Sequence, residues 1–253
     1  MSRPMTAPRT LPRLFEASVE RFADLTMLLE KRGERYEGTT YAGTRERVHR
    51  FAAGLMSLGL AKGDRAALIA EGRNDWVTAE LGILYCGAIN VPVSVKIDEL
   101  DDLKFRLLHA GCRMAIVSRG QVEKIRAIKA DLPDLALTIV LDPIGASGAD
   151  EVPLPEVLRR GGELLQRDRE AFDARWQSVA EGDHANICYT SGTTADPKGI
   201  LLTHRNYTAN IAQGVAVIKP QPGWVLLNIL PWDHAFGHTC GIYMMMMSGA
   251  TLA

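Results

Sequence analysis

The sequence predicts an α/β fold of βαβ units, with a parallel sheet covered by helices on both faces. The wholly apolar run Ala66–Ala70 reads as a strand buried on both sides, and Met114–Ser118 and Leu137–Leu141 repeat the pattern. Helical stretches of about 10–15 residues separate them, the spacing of right-handed crossover units. No fixed-period repeat runs through the chain.

In order along the chain, Leu11, Phe15, Val19 and Phe22 recur at helical spacing, so residues 11–23 are expected to form an amphipathic helix. Arg35-Tyr36 and Thr39–Tyr41 read as a short extended pair. Thr44 is expected to cap a second helix, with Val48, Phe51, Ala52, Leu55 and Leu58 on one face and Gly59 at its end. After the strand Ala66–Ala70 come a helix over 75–86 and an extended run Ile89–Val93. A helix over 98–110 leads to Met114–Ser118, and one over 122–130 leads to Leu137–Leu141. The acidic stretch Asp98–Asp102 suits the positive end of a helix dipole. Residues 143–155, rich in Gly, Pro and acid, read as a surface loop between sub-domains, and a sub-domain break is placed near 143–183. A helix over 173–181 and a strand over 185–190 follow. Thr203 then caps a helix carrying Tyr207, Ile211 and Val215, which makes His204 and Arg205 structural. The apolar run 241–248 is expected to be a buried helix or strand, with a Met-lined ligand wall as the other reading.

Composition narrows the function classes. With 47% hydrophobic and 23% charged residues the 253-residue chain is not disordered, and 23 Gly with 12 Pro are too few for a fibrous protein. The length fits one large domain or two small ones. A net charge of −1 supplies no basic face for nucleic acid. Cys86, Cys112, Cys188 and Cys240 form no CxxC pair, which argues against a zinc or disulfide framework and fits a reducing compartment. The N-terminus lacks the apolar core of a secretory signal, and no run approaches 18 uninterrupted apolar residues.

One segment, 189–204, stands apart: Tyr-Thr-Ser-Gly-Thr-Thr-Ala-Asp-Pro-Lys-Gly-Ile-Leu-Leu-Thr-His. Hydroxyl side chains offer donors without bulk, glycine lets backbone N–H groups approach a ligand, and a turn of such groups makes an anion-binding concavity. Lys198 adds a point charge, and each charge-assisted hydrogen bond contributes about 1.5–3 kcal/mol. Composition alone also allows a plain Ser/Thr/Gly hairpin. The pattern GxxxxGK[ST] does not fit, because Pro197 stands where Gly is needed and Gly199 where Ser or Thr is needed. Extended chain rather than a helix follows the lysine.

Read as a motif, Tyr-Thr-Ser-Gly-Thr-Thr-x-x-Pro-Lys-Gly followed by Leu-Thr-His-Arg-Asn resembles the phosphate-binding signature of the adenylate-forming superfamily. That superfamily comprises acyl-CoA synthetases, luciferases and peptide-synthetase adenylation domains. Thr39–Tyr41, Gly59–Arg65 and Gly87–Val93 resemble its N-terminal pattern. Leu230–Gly237 resembles the segment where an aromatic residue or His borders the acyl pocket. Residues 203–210 and 231–234 look most like the long-chain fatty acyl-CoA synthetase branch, and the likeness runs from about residue 10 to the end.

The resemblance implies a two-step ligase. A carboxylic acid, expected to be fatty, attacks the α-phosphate of ATP, and a thiol, usually that of coenzyme A, then displaces AMP. By match, Thr190, Ser191, Gly192, Thr193, Thr194 and Lys198 contact the β- and γ-phosphates, and Ser191 or a neighbouring hydroxyl is the oxygen ligand for Mg2+. His234 is the residue expected near the carboxylate and α-phosphate, with Ala235 beside it. Ala195 stands where the family has Gly, a strain of about 1 kcal/mol or more should that position need positive φ. Family members run to roughly twice this length, so residues 1–253 are expected to be the N-terminal portion of the large AMP-binding domain, without the C-terminal domain and inactive alone. The expected compartment is cytoplasmic, with peripheral membrane contact left open. The rival readings are another adenylate-forming ligase and a nucleotide- or acyl-binding module without turnover.

Among other residues, His234 and His238 are four apart, but no third metal ligand is evident. Trp76, Trp176, Trp224 and Trp232 read as packing residues, Trp232 with a place beside the acyl site as its second reading. Asp233 beside His234 is not assigned a role.

Overall fold

A computed structural model describes residues 9–190 and 196–253. Helix α1 (Leu11–Phe22) starts at Thr10, whose hydroxyl accepts from the Arg13 amide at 3.4 Å. Its buried stripe includes Leu11, Phe15 and Val19, as the periodicity predicts. Strands β1 (Thr26–Arg32) and β2 (Arg35–Thr40) then form an antiparallel hairpin about Gly33, which sits at φ +62°. The two extended pieces of the sequence reading are thus one strand, and its partner β1 was not foreseen. Thr40, not Thr44, caps α2 (Tyr41–Ser57): its hydroxyl accepts from the Gly43 amide at 3.1 Å. The chain turns directly from strand to helix because Tyr41 is drawn inward, where its hydroxyl donates to the Ala250 carbonyl at 2.8 Å. Thr44 lies buried within the first turns. Gly59, at φ +93°, ends the turn after the helix.

The larger sheet follows. Strands β3 (Arg65–Ile69), β4 (Ile89–Pro92), β5 (Cys112–Val117) and β6 (Leu137–Val140) alternate with α3 (Asn74–Tyr85), α4 (Leu100–Ala110) and α5 (Val122–Ile128). These match the expected βαβ units within a few residues. Residues 143–155, read as loop, contain the short strand β7 (Glu151–Pro153). Helix α6 (Leu154–Arg167), which the sequence reading did not name, follows it, and α7 (Arg169–Gln177) starts and ends four residues earlier than expected because Asp168 caps it. Strand β8 (His184–Thr190) runs parallel to β4, and β9 (Lys198–Thr203) returns antiparallel to β8. The order is β7-β6-β5-β3-β4-β8-β9.

Alternation along the strands separates two cores. Ala67, Ile69, Val91, Ala115, Val117, Ile187 and Tyr189 pack against Leu103 and Leu107 of α4 and Val122 and Ile125 of α5. Ala66, Leu68, Met114 and Ile116 face the other way, toward α1, α2 and α3. Helix α3 is sealed between layers, with buried residues on all sides. Helices α2 and α6 approach closely because glycines meet there: a Cβ on Gly161 would collide with the Arg50 carbonyl oxygen, and one on Gly54 with that of Val157.

Helix α8 (His204–Ile218) opens with a capping box between Thr203 and Asn206. His204 is buried, and its Nδ1 accepts from the Leu11 amide at 3.3 Å, which ties α8 to α1. After β10 (Val225–Leu226), a π-helical turn Gly237–Tyr243 leads into α9 (Met244–Ser248) and β11 (Thr251–Leu252). The methionine run is buried helix, as expected. β10 and β11 join β1 and β2 in a second sheet, where β11 runs parallel to β1. Cys86, Cys112 and Cys188 are buried, Cys240 only partly so, and Trp224 stands exposed rather than packed. Among the described residues no helix is long and apolar enough to cross a membrane.

Two stability predictions follow from this packing. Gly161→Ala is expected to lower stability by about 1–3 kcal/mol, read from urea unfolding, because rigid backbone meets the new methyl. Burial lowers the His204 pKa from 6.5 to about 4. Between those values the unfolded chain binds a proton that the folded chain refuses, so stability falls as pH drops through that window. The full effect is roughly 3 kcal/mol. His204→Gln, which keeps an acceptor for Leu11, is expected to flatten the difference in unfolding free energy between pH 7 and pH 5.

Candidate functional site

Two features meet at the carboxyl edge of the parallel strands. The first is the β8–β9 hairpin. Its pairing register ends at Thr190 opposite Lys198, and both residues are exposed. Tyr189 is not part of that exposed surface. Its hydroxyl donates to the Arg106 carbonyl at 3.0 Å and lies 2.8 Å from His109 Nδ1, while the Arg106 guanidinium sits 5.3 Å from its ring centre. Burial pushes its pKa up to about 12. Gly199 fits against Ile187, whose Cγ2 would be 2.9 Å from an added Cβ. Ser191, Gly192, Thr193, Thr194 and Ala195, four of them expected phosphate contacts and the last the departure from the family pattern, lie outside the described residues.

The second feature is a cleft of about 640 Å3. Its floor is the turn after β3, Ala70–Arg73, beside Ser94–Lys96 after β4. Its walls come from β1, from the 227–234 segment and from the end of β11. Such a crevice outside the carboxyl ends of parallel strands is where α/β sheets bind ligands, and its volume suits a small molecule. Leu29, Val95, Leu227, Ile229 and Trp232 supply apolar surface. Arg73 is held by ion pairs to Asp142 at 2.7 Å and Asp75 at 3.0 Å. Burial works against its charge, but those carboxylates outweigh it and raise its pKa.

His234 lines this cleft with its side chain largely exposed, and its Nε2 is 3.9 Å from the Asp233 carboxylate. The His234 carbonyl accepts from the His238 amide at 3.2 Å. Ala235 is adjacent, and its carbonyl accepts from the Thr239 hydroxyl at 2.9 Å. Thr190 and Lys198 do not line the cleft, so the structure places the hairpin and His234 on one sheet edge without bringing them into one pocket. His238 is fully buried while His234 is exposed, so the two do not form a metal pair. Among the described residues no three His, Cys, Asp or Glu side chains converge on a metal position.

Sequence reasoning missed Gly72 and Glu80. Trp232 lies over Gly72, so that an added Cβ would be 2.9 Å from the indole. Trp232 also meets Trp76 edge to face, with ring centres 5.5 Å apart. Glu80, buried in α3, accepts from the Tyr243 hydroxyl at 2.5 Å and from Asn186 Nδ2 at 3.1 Å. Its signal was a carboxylate inside the otherwise uncharged run Trp76–Tyr85. Gly72 gave no signal, since its partner is distant in sequence.

Comparison with known proteins adds an independent line. Residues 15–253 match the family described as AMP-binding enzyme. A Rhodococcus jostii protein named 3-[(3aS,4S,7aS)-7a-methyl-1,5-dioxo-octahydro-1H-inden-4-yl]propanoyl:CoA ligase is 29% identical over 257 residues, 97% of this chain and 47% of that protein. The mouse long-chain-fatty-acid–CoA ligase ACSBG2 is 27% identical over 252 residues, 96% of this chain and 37% of that protein. The chain thus spans less than half the length of these curated relatives. The long-chain-fatty-acid-CoA ligase FadD1 of Archaeoglobus fulgidus superposes with a TM-score of 0.80 at 20% identity, over 98% of this chain and 47% of that one. The N-terminal domain of FACL13 from Mycobacterium tuberculosis gives 0.75 at 24% identity, over 96% and 56%. The match over residues 15–253, on an α/β frame shared with these ligases, means that the chain belongs to the AMP-binding enzyme family.

Proposed function

We propose that this chain is the ATP-binding portion of an acyl-CoA synthetase that activates a carboxylic acid as its acyl-adenylate. The observation that carries the reading is the exposed pair Thr190 and Lys198 at the mouth of the β8–β9 hairpin, on the sheet edge where the cleft opens. A carboxylate oxygen of the acid bonds to the α-phosphorus of ATP. The bond from that phosphorus to the bridging oxygen breaks, and its electron pair leaves with pyrophosphate. Positioning and neutralisation of the leaving group are the protein's main tasks. Lys198 supplies a positive charge, and Thr190 with Ser191, Gly192, Thr193 and Thr194 supplies donors around the phosphates. His234, exposed at the cleft, is assigned to the reacting carboxylate, with Ala235 beside it. In the second step the thiol of coenzyme A attacks the acyl carbonyl and AMP departs. Mg2+ is assigned to enter with the ATP phosphates, Ser191 being the oxygen donor proposed for it.

A fatty acid is the substrate favoured by the apolar half of the cleft. Of the two curated relatives, the mouse protein is named for a long-chain fatty acid, whereas the Rhodococcus jostii protein is named for a bicyclic propanoyl group.

In the full-length protein, labelled pyrophosphate is expected to exchange into ATP only when a carboxylic acid is present. ATP binding without exchange across a broad acid panel would instead identify a binding module without turnover. Lys198→Ala is expected to raise the KM for ATP about tenfold to a hundredfold, the worth of one charge-assisted hydrogen bond. Gly72→Ala pushes on Trp232 and is expected to raise the KM for the acid while leaving that for ATP unchanged; equal effects on both would argue against the cleft as the acid's site.

A further inference from the structure

Behind the Trp232 wall lies a buried polar cluster that the reaction itself does not use. Glu80 is 1% exposed and His238 0%. Glu80 Oε1 is taken by Tyr243 and Asn186, while Oε2 and His238 Nε2, each without a hydrogen-bond partner among the described residues, face each other at 3.4 Å. The other ring nitrogen, Nδ1, faces the Tyr207 hydroxyl and Asn186 Nδ2, each at 3.4 Å. Both of those groups can donate, whereas an ionised carboxylate at Nε2 accepts only. The three neighbours agree on one tautomer, with the proton on Nε2.

That ring is also the base of an aromatic stack. It lies on Trp76, with ring centres 5.2 Å apart and planes 27° apart. Trp76 in turn meets Trp232 edge to face above Gly72. The His238 amide donates to the His234 carbonyl, so side chain and backbone of one residue both hold the segment 231–234. We propose that Glu80 and His238 are positioning residues: the carboxylate holds the imidazole as its Nε2–H tautomer, and the ring so fixed sets Trp76 and Trp232 as the wall of the acid cleft.

The alternative is a cluster that serves only general stability. Burial disfavours a charged His238 and lowers its pKa, so the ring is neutral and its tautomer is what Glu80 selects. Glu80→Gln keeps size and shape but turns an acceptor toward Nε2 into a donor. The proton must then move to Nδ1, where it meets Tyr207 and Asn186. A role in stability alone would lower the melting temperature of this variant without separating the acid from ATP in the kinetics.

The tautomer half of the proposal stands by itself, and the kinetic half rests on the adenylation reading. In the full-length protein labelled with 15N-histidine, His238 is expected as the Nε2–H form, its signal assigned by loss in His238→Gln. A wild-type His238 that is Nδ1–H, or protonated at pH 7, overturns the brace even should Glu80→Gln fail to fold. In Glu80→Gln the tautomer is expected to switch and the 19F resonance of fluorinated Trp232 to move; an unmoved resonance overturns the link to the wall whether or not the protein adenylates. In pyrophosphate exchange the same variant is expected to raise the KM for the acid about tenfold with that for ATP within about twofold. Equal changes in both overturn the positioning role. Absence of exchange in the wild type overturns the adenylation reading instead, and leaves the brace to be decided by the tautomer and the Trp232 signal.

Discussion

The parallel alignment of β3, β4 and β8 is the constraint on which the rest of the molecule depends. It is set by backbone pairing, Ala66 opposite Asn90 and Asn90 opposite Asn186, and by the apolar residues on both faces. Parallel strands send all their carboxyl ends to one edge, so the loops that follow them gather there. The turn after β3 and the turn after β4 become the cleft floor, and β8 ends on the same edge at Thr190, paired with Lys198. A slip of one residue between β4 and β8 would turn every side chain of one strand to the opposite face. Both Asn186 and the start of the hairpin would be lost together.

The second sheet depends on long-range closure. Strand β11 pairs with β1 through Leu252 opposite Leu28, and the Tyr41 hydroxyl is anchored on the Ala250 carbonyl. Residues far apart in sequence thus build one wall of the cleft, which β1, the 227–234 segment and β11 line together. Between this wall and the larger sheet sits α3, buried all round, which explains why its carboxylate has to find partners inside the protein. A buried acid left without donors costs several kcal/mol, so Tyr243 and Asn186 are needed to keep Glu80 in place. In return the cluster specifies one arrangement of the π-helical turn that carries His238.

Most of the secondary structure was legible from periodicity. Leu11, Phe15 and Val19 mark α1, and the apolar runs mark β3, β5 and β6, because burial on one or both faces leaves a repeat in the local sequence. The misses have physical reasons. Thr40 and Thr44 are both capping residues by type, and only the inward pull on Tyr41 selects the first. β1 carries the charged pair Lys31 and Arg32 at its exposed end, which hides its strand character. Helix α6 sits after a Gly- and Pro-rich stretch whose composition reads as loop. Its close fit on α2 depends on Gly54 and Gly161, residues that by themselves lower helix propensity.

Membership of the family was legible in the sequence alone, and the proposed roles of Lys198 and His234 come from the same source, since each rests on residue types in a fixed local order. Tertiary structure decided which residues lie behind them. Glu80 and Tyr243 are 163 residues apart in the chain, and Gly72 meets Trp232 only after the sheets have assembled. Local pattern reports what a residue needs, such as burial or a cap. It carries no information on which distant side chain satisfies that need, because that choice is made by the packing of whole layers.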